Sequence, residues 1–208
     1  MDFKSKIMTW LFLIGSGLAS CQNQNSKNVG GPCEGCEALF EYGNKKLTSI
    51  DILPGFQYNE PKLKITGTVF KNDGKMPAEN VIIYIYHTNR KGIYPTKGNE
   101  TGWSKRHGFI RGWIKTGKNG RYTFYTFRPA AYPDGSESEH IHITIKESDR
   151  NEYYLDEYLF DDDPSLTQTK RNKLPNRGGS GIVKPYTENK ILTVKRNIIL
   201  GKNIPNYK

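Results

Sequence analysis

Alternation of side chains along short segments is the feature that most constrains the fold of this chain. Residues 140–145 read His-Ile-His-Ile-Thr-Ile, so a strand here places three isoleucines on one face and both histidines on the other. Residues 63–70 also alternate, and residues 81–86 form a short apolar run rich in β-branched and aromatic side chains. Beyond the first twenty residues, no stretch of ten or more has a convincing helical period. The pattern predicts an all-β domain, a β-sandwich of antiparallel strands.

Turn signals divide the remainder of the chain. Residues 109–115 and 121–127 are strand-like runs on either side of an Asn-Gly pair at 119–120, which predicts a hairpin. Residues 191–200 are a further strand candidate. The Gly-, Pro- and Lys-rich residues 170–185 are expected to form a long loop.

The composition excludes two broad classes of protein. Of the 208 residues, only 35% are hydrophobic and 25% are charged, which excludes a polytopic membrane protein. Aromatic residues make up 12%, too large a share for a disordered chain. The net charge is +10, but the lysines and arginines are scattered, so we expect no nucleic-acid partner.

The first 21 residues have the features of an export signal. Lysines within residues 1–6 precede a mostly apolar stretch at 7–17 and a small-residue cleavage site. The apolar stretch is too short to span a bilayer stably. The sequence Leu-Ala-Ser-Cys at 18–21 resembles the bacterial lipobox, which implies cleavage before Cys21 and lipidation of that residue. An ordinary signal peptide followed by a coincidental cysteine is the alternative.

A lipidated Cys21 implies attachment to a membrane of the bacterial cell envelope. Gln22, rather than Asp, at the next position resembles lipoproteins of the outer membrane. We therefore expect three segments: a lipoprotein signal peptide at 1–20, a lipid-anchored tether at 21–47, and a β-sandwich domain at 48–208.

Two further cysteines lie within the expected tether. In an exported protein, Cys33 and Cys36 are close enough in sequence to form a local disulfide that fixes a loop. A redox-active pair is the open alternative. A structural metal lacks two further soft ligands nearby, and Glu37 in place of histidine disfavours haem attachment.

His140 and His142 are candidate metal ligands. Two imidazoles spaced i, i+2 on one strand face can reach a single metal ion. The pair alone is a weak signal, because exposed strand faces also carry histidines by chance.

Several motifs near this pair follow the order of a known family. They are Ile65-Thr66-Gly67-Thr68-Val69, Asp73-Gly74, Gly92-Ile93-Tyr94, Arg111-Gly112, Gly120-Arg121-Tyr122, Tyr132-Pro133 and His140-Ile141-His142. Over about residues 60–160 the chain resembles the intradiol ring-cleavage dioxygenases, the family of protocatechuate 3,4-dioxygenase and catechol 1,2-dioxygenase. The resemblance implies an intradiol dioxygenase-like β-sandwich core.

The resemblance also implies a cofactor and its ligands. In that family, two tyrosines and two histidines hold a non-haem Fe(III), and the matching positions here are Tyr94, Tyr132, His140 and His142. The set is chemically consistent, because a hard ferric ion favours anionic oxygen and coordination lowers the pKa of a phenol.

The implied reaction joins a small aromatic diol and O2. The catechol-like substrate displaces one tyrosine, by analogy Tyr132, and ring insertion of oxygen gives a muconate-type diacid. Family members usually carry Arg-Pro-Ala before the two histidines, whereas this chain has Glu-Ser-Glu at 137–139. Arg106 and Arg111 are candidates to supply the missing positive charge, although Arg111 has a simpler interpretation as the partner of a carboxylate.

A second function class stays open. A non-catalytic β-sandwich module of the envelope that binds a partner would share the same strands and turns. That interpretation predicts no bound iron. The sequence leaves the particular diol and the oligomeric state undefined.

Overall fold

The computed structural model describes residues 28–208, which are nearly all strands and connecting turns. The strands are β1 (Ile50–Ile52), β2 (Lys62–Phe70), β3 (Ile82–Tyr86), β4 (Arg111–Lys115), β5 (Arg121–Phe127), β6 (His140–Lys146), β7 (Tyr153–Tyr154), β8 (Tyr158–Phe160), β9 (Ile182–Val183), β10 (Tyr186–Glu188), β11 (Ile191–Lys195) and β12 (Ile198–Ile199). Two short helices, α1 (Ser104–His107) and α2 (Gln168–Asn172), and a 3-10 helix at Cys36–Phe40 complete the structure. The expected signal peptide and Cys21 lie outside the described residues.

The strands form two six-stranded sheets that enclose the core. One has the order β1-β5-β2-β11-β10, with β12 also paired to β2; the other has the order β4-β3-β6-β8-β9, with β7 also paired to β6. The predicted all-β sandwich is confirmed, although the sheets are mixed. The pairs β1/β5, β2/β11, β2/β12 and β8/β9 are parallel, while the others are antiparallel.

Strand β6 has the predicted division of faces. The side chains of Ile141, Ile143 and Ile145 are buried in the core between the sheets. The side chains of His140 and His142 therefore project from the opposite face of the same strand. Because β6 is paired with both β3 and β8, these histidines lie at the middle of their sheet rather than at its edge.

The predicted hairpin between residues 109–115 and 121–127 is wrong. Strand β4 pairs with β3, whereas β5 pairs with β2 and β1 in the other sheet. The connecting residues do turn, since Gly120 has a φ of 66° and its amide donates to the Gly117 carbonyl. The Gly120 carbonyl then accepts from the Val69 amide at 2.9 Å, so the chain crosses from one sheet to the other.

The expected tether at 21–47 and the loop at 170–185 also need correction. Within the tether, Ala38 and Leu39 are fully buried in a small cluster with Tyr84 and Trp113, because the 3-10 helix packs on the outer face of β3 and β6. The loop contains most of α2 and all of β9. None of the helices in residues 28–208 is long and apolar enough to cross a membrane.

Candidate metal centre

Four polar side chains from three segments converge outside the second sheet. His140 and His142 project from β6, Tyr94 lies in the loop after β3, and Tyr132 lies in the loop after β5. The Tyr94 hydroxyl is 2.8 Å from the Tyr132 hydroxyl and 2.7 Å from Nε2 of His142. Nε2 of His142 is 3.1 Å from Nε2 of His140. The structure thus brings together all four predicted ligands, named here the donor cluster.

The two tyrosine-bearing loops hold each other in place. The Asn89 side chain accepts from the backbone amides of Lys91 and Ile93, which shapes the turn before Tyr94. Gly92 has a φ of 73°, and a Cβ atom there would lie 2.0 Å from the carbonyl oxygen of Ala131. Only glycine permits this close approach, which explains the Gly-x-Tyr spacing.

Both imidazoles are oriented through their Nδ1 atoms. Nδ1 of His140 donates to the Ser138 carbonyl at 2.7 Å, which leaves Nε2 as the lone-pair nitrogen that faces the cluster. Nδ1 of His142 faces the Glu157 carboxylate at 3.6 Å. Burial raises the pKa of Glu157, but contacts with His142, a backbone hydrogen bond and the nearby His140 together hold the pKa below its ordinary value, so the carboxylate stays ionised. A carbonyl or carboxylate behind each imidazole is the usual support of a metal-binding histidine.

The protonation states of the cluster suit a cation. Burial raises the pKa of the Tyr94 and Tyr132 phenols, so without a cation both stay protonated near neutral pH. Burial lowers the pKa of His140 to about 4, so this ring is neutral and able to bind a metal. A bound cation reverses the trend for the phenols, because it stabilises the phenolate.

The donor set fits a hard ion such as Fe(III). Within residues 28–208, no group of three or more His, Cys, Asp or Glu side chains is arranged to hold a metal ion; the donor cluster instead combines two phenols and two imidazoles. Metal–nitrogen and metal–oxygen bonds of about 2.0–2.2 Å place ligands at right angles about 3 Å apart. The measured separations of 2.7–3.1 Å are close to that spacing.

A stack of aromatic rings lies behind His142, and the sequence analysis missed it. The Tyr86 ring packs between His142 and His107, with ring centroids at 4.4 and 3.8 Å. The Tyr84 hydroxyl contacts Nδ1 of His107 at 2.9 Å. Tyr86 pairs directly with His142 across β3 and β6, so strand register was the signal that would have found it.

Arg111 lies away from the donor cluster. Its guanidinium pairs with the Glu41 carboxylate at 2.5 Å and lines a separate cavity with Trp113. Arg111 is therefore the partner of a carboxylate, as the simpler interpretation predicts. Its position does not support the expected catalytic role. Arg106 lies nearer, in a cavity lined by Tyr94, but it too is paired, with Glu34.

The Glu-Ser-Glu segment at 137–139 is compatible with the cluster. Glu139 pairs with Arg128 at 2.6 Å, so its charge is compensated. Ser138 supplies the carbonyl that orients His140. Glu137 and Ser138 line the cavity beside the cluster, whereas Glu139 does not.

Two cavities meet at the donor cluster. The larger, about 580 Å³, is lined by Tyr132, His140 and His142 and extends toward α2. The smaller, about 280 Å³, is lined by Tyr94, Tyr132 and His142 together with the stacked rings.

A disulfide joins Cys33 and Cys36 and holds a loop beside the smaller cavity. Glu34 of that loop lines the cavity, and Gly35 has a φ of 85°. A Cβ atom at Gly35 would lie 2.9 Å from Nε2 of His107, so the loop backbone closes over the aromatic stack.

Comparison with known proteins identifies the family. A family model described as dioxygenase matches residues 49–166, more than half of the chain. The chain belongs to the intradiol ring-cleavage dioxygenase family. The resemblance found in the sequence is therefore confirmed, and all four members of the donor cluster lie within the matched residues.

The similarity to individual members of the intradiol dioxygenase family is low in identity and covers only part of each protein. The chain is 32% identical over 107 residues to catechol 1,2-dioxygenase 1 of Acinetobacter lwoffii, covering 50% of this chain and 33% of the relative. It is 30% identical over 90 residues to the protocatechuate 3,4-dioxygenase beta chain of Burkholderia cepacia, covering 40% of this chain and 38% of the relative. The match thus spans 33% of one curated relative and 38% of the other.

The fold is also that of the intradiol dioxygenases. The structure of catechol 1,2-dioxygenase from Acinetobacter sp. ADP1, inhibited by bound mercury, superposes with a TM-score of 0.55 at 19% identity. The superposition covers 74% of this chain and 57% of that one.

Proposed function

We propose that this chain is a non-haem Fe(III) intradiol dioxygenase that cleaves the ring of a catechol-like aromatic diol with O2 to a muconate-type product. The observation that carries the proposal is the convergence of four side chains through contacts of 2.7–3.1 Å, which link Tyr132 to Tyr94, Tyr94 to His142, and His142 to His140. Membership of the intradiol family supports the same reaction class.

The donor cluster would hold the iron through two phenol oxygens and two Nε2 atoms. An Fe(III) ion held by these side chains would supply Lewis-acid chemistry that activates a diol ring toward O2. The protein orients the imidazoles through the Ser138 carbonyl and the Glu157 carboxylate. These partners are present before any substrate binds, so the centre is preorganised.

Tyr132 is the ligand that we expect to exchange with substrate. It lines both cavities, and its hydroxyl is bonded to that of Tyr94. If the iron holds Tyr132 as a phenolate, its oxygen would be placed to accept a proton from an incoming diol.

Oxygen incorporation tests the activity directly. The iron-loaded protein, supplied with catechol and ¹⁸O2, should consume one O2 per diol and place both labelled atoms in the diacid. His140→Ala should abolish uptake, and the exposed-site control Tyr58→Phe should not change it. A wild-type protein that binds no iron and consumes no O2 would instead favour a non-catalytic binding module of the envelope.

We also propose that the protein is attached to the bacterial envelope, in the outer membrane, by a lipid on Cys21. The signal-like residues 1–20 and the lipobox-like sequence at 18–21 support this attachment. Cys21→Ala should move the protein from the membrane fraction to the soluble fraction of exporting cells. Membrane association unchanged by Cys21→Ala would contradict the lipid anchor.

A further inference from the structure

The larger cavity at the donor cluster is much bigger than a simple catechol requires. Its volume is about 580 Å³, within the range of about 300–1,000 Å³ that holds drug-sized ligands. Catechol is a single ring with two oxygens. Placed at the donor cluster, it would leave most of this cavity to be filled by something else.

One wall of the larger cavity is apolar. Leu159, Leu166 and Leu174 line it, and the first two are only 8% and 4% exposed. Burial of an apolar group against such a wall is favourable because it removes both surfaces from water. The wall therefore selects for a hydrophobic group that extends from the ring.

Charges at the rim of the cavity have both signs. Lys170 and Lys173 line it, and so do the carboxylates Glu137 and Glu157. The Lys170 ammonium is already within 3.2 Å of the Ser136 carbonyl. Because the rim charges oppose one another, they do not define a preference for an anionic or a cationic substituent, and the leucine wall is the selective element.

The segment that forms the wall is fixed in position. Arg171 of α2 donates to the Leu166 carbonyl at 3.1 Å and pairs with Asp161 at 2.5 Å. Leu159 and Leu166 lie within the residues matched by the family model, whereas Leu174 follows residue 166, where that match ends.

We infer that the substrates are catechols carrying a bulky apolar substituent, such as a second ring, and that Leu174 is a specificity-determining residue for that substituent. The inference rests on the proposed function, since the diol itself must bind at the donor cluster. Leu174 is half-buried, so it can be replaced with little disturbance of the core.

Ligand binding to the iron-loaded protein under nitrogen tests the inference. Calorimetric titration should give a dissociation constant at least about tenfold lower for 4-phenylcatechol than for catechol. Leu174→Trp, which fills the cavity, should remove that preference and change catechol affinity by less than about twofold. Leu174→Ala should weaken the preference because it removes contacts with the substituent. Leu192→Trp, at a half-buried leucine on β11, is the matched control for Leu174→Trp and should keep the preference.

The outcomes separate the inference from the proposed function. Equal or tighter binding of catechol by the wild-type protein would overturn the inference alone. A preference that survives both Leu174 variants would overturn the role of Leu174. If neither diol binds, the proposed function fails and the inference fails with it.

Discussion

At the scale of single residues, the two histidines of the donor cluster differ in how they are supported. The backbone carbonyl of Ser138 holds His140, whereas the side chain of Glu157 faces His142. Most substitutions of Ser138 would keep its backbone carbonyl. A single substitution of Glu157, in contrast, removes the carboxylate. Glu157 is therefore the point at which the support of the centre can be tested.

Glu157→Gln should lower iron affinity by about 10–100-fold, the usual effect of losing the outer partner of a metal-bound histidine. The amide keeps the size of the side chain but removes the charge that faces Nδ1 of His142. Competition with a chelator measures the affinity. Glu79→Gln, at an exposed site, is the control; equal iron affinity in both variants would exclude a supporting role for Glu157.

His87 gives a prediction about stability and pH. Burial lowers its pKa to about 4, an effect opposed by the bond to the Thr88 carbonyl and increased by His140 and His142. Its other ring nitrogen contacts the Thr126 hydroxyl at 2.7 Å, so the neutral ring is fully bonded. The unfolded chain, with an ordinary pKa near 6.5, takes up the proton first as the pH falls.

The contribution of neutral His87 to stability is therefore present above about pH 6.5 and is lost as the pH falls toward about 4. The full loss is about 3 kcal/mol in the free energy of unfolding. Urea unfolding at several pH values should show a shallower pH slope for His87→Gln than for the wild-type protein. An unchanged slope would contradict a neutral, buried His87.

The sequence predicts the residues of the centre better than their surroundings. Motif order identifies Tyr94, Tyr132, His140 and His142, because the spacing of turns and strands carries them. It does not identify Glu157 or Tyr86, since their role depends on which strands pair beside β6.

At the scale of structural elements, the disulfide loop is held to the domain at one side of the centre. Cys33 and Cys36 close a very short loop, so the chain-entropy model assigns the bond about 2 kcal/mol of stability. Cys33→Ser/Cys36→Ser, in a Cys21→Ser background, should lower the free energy of unfolding by about that amount while the β-sandwich still folds.

Urea unfolding of the two proteins, with circular dichroism as the probe, measures the difference. Loss of the β-sandwich on removal of the disulfide would show that the loop is required for folding. An unchanged free energy of unfolding would show that the loop is held by its packing alone.

Strand positions were predictable, but strand partners were not. The bounds of β5 and β6 follow from alternation, which is local. The partners of β4 and β5 depend instead on the sheet to which each strand belongs. The Asn-Gly turn at 119–120 does not determine that sheet. The packed 3-10 helix in the expected tether was missed for the same reason, since burial of Leu39 requires the outer face of β3.

At the scale of the whole molecule, the residues matched by the family model and the segments on either side of them have different tasks. The matched residues supply the four donors and part of the leucine wall. The disulfide loop before them and the α2 segment after them complete the lining of the two cavities. The matched residues thus account for the proposed reaction class, and Leu174, which follows them, is the residue proposed to determine the choice of substrate.

The measurement that tests the central claim most directly is the visible spectrum of the iron-loaded protein, before and after addition of catechol under nitrogen. The proposed centre predicts a phenolate-to-Fe(III) charge-transfer band that shifts when catechol binds. Tyr94→Phe should lose most of the band, while Tyr125→Phe, at a half-buried tyrosine of β5, should keep it. A colourless protein that stays colourless with catechol would show that Tyr94, Tyr132, His140 and His142 do not hold iron.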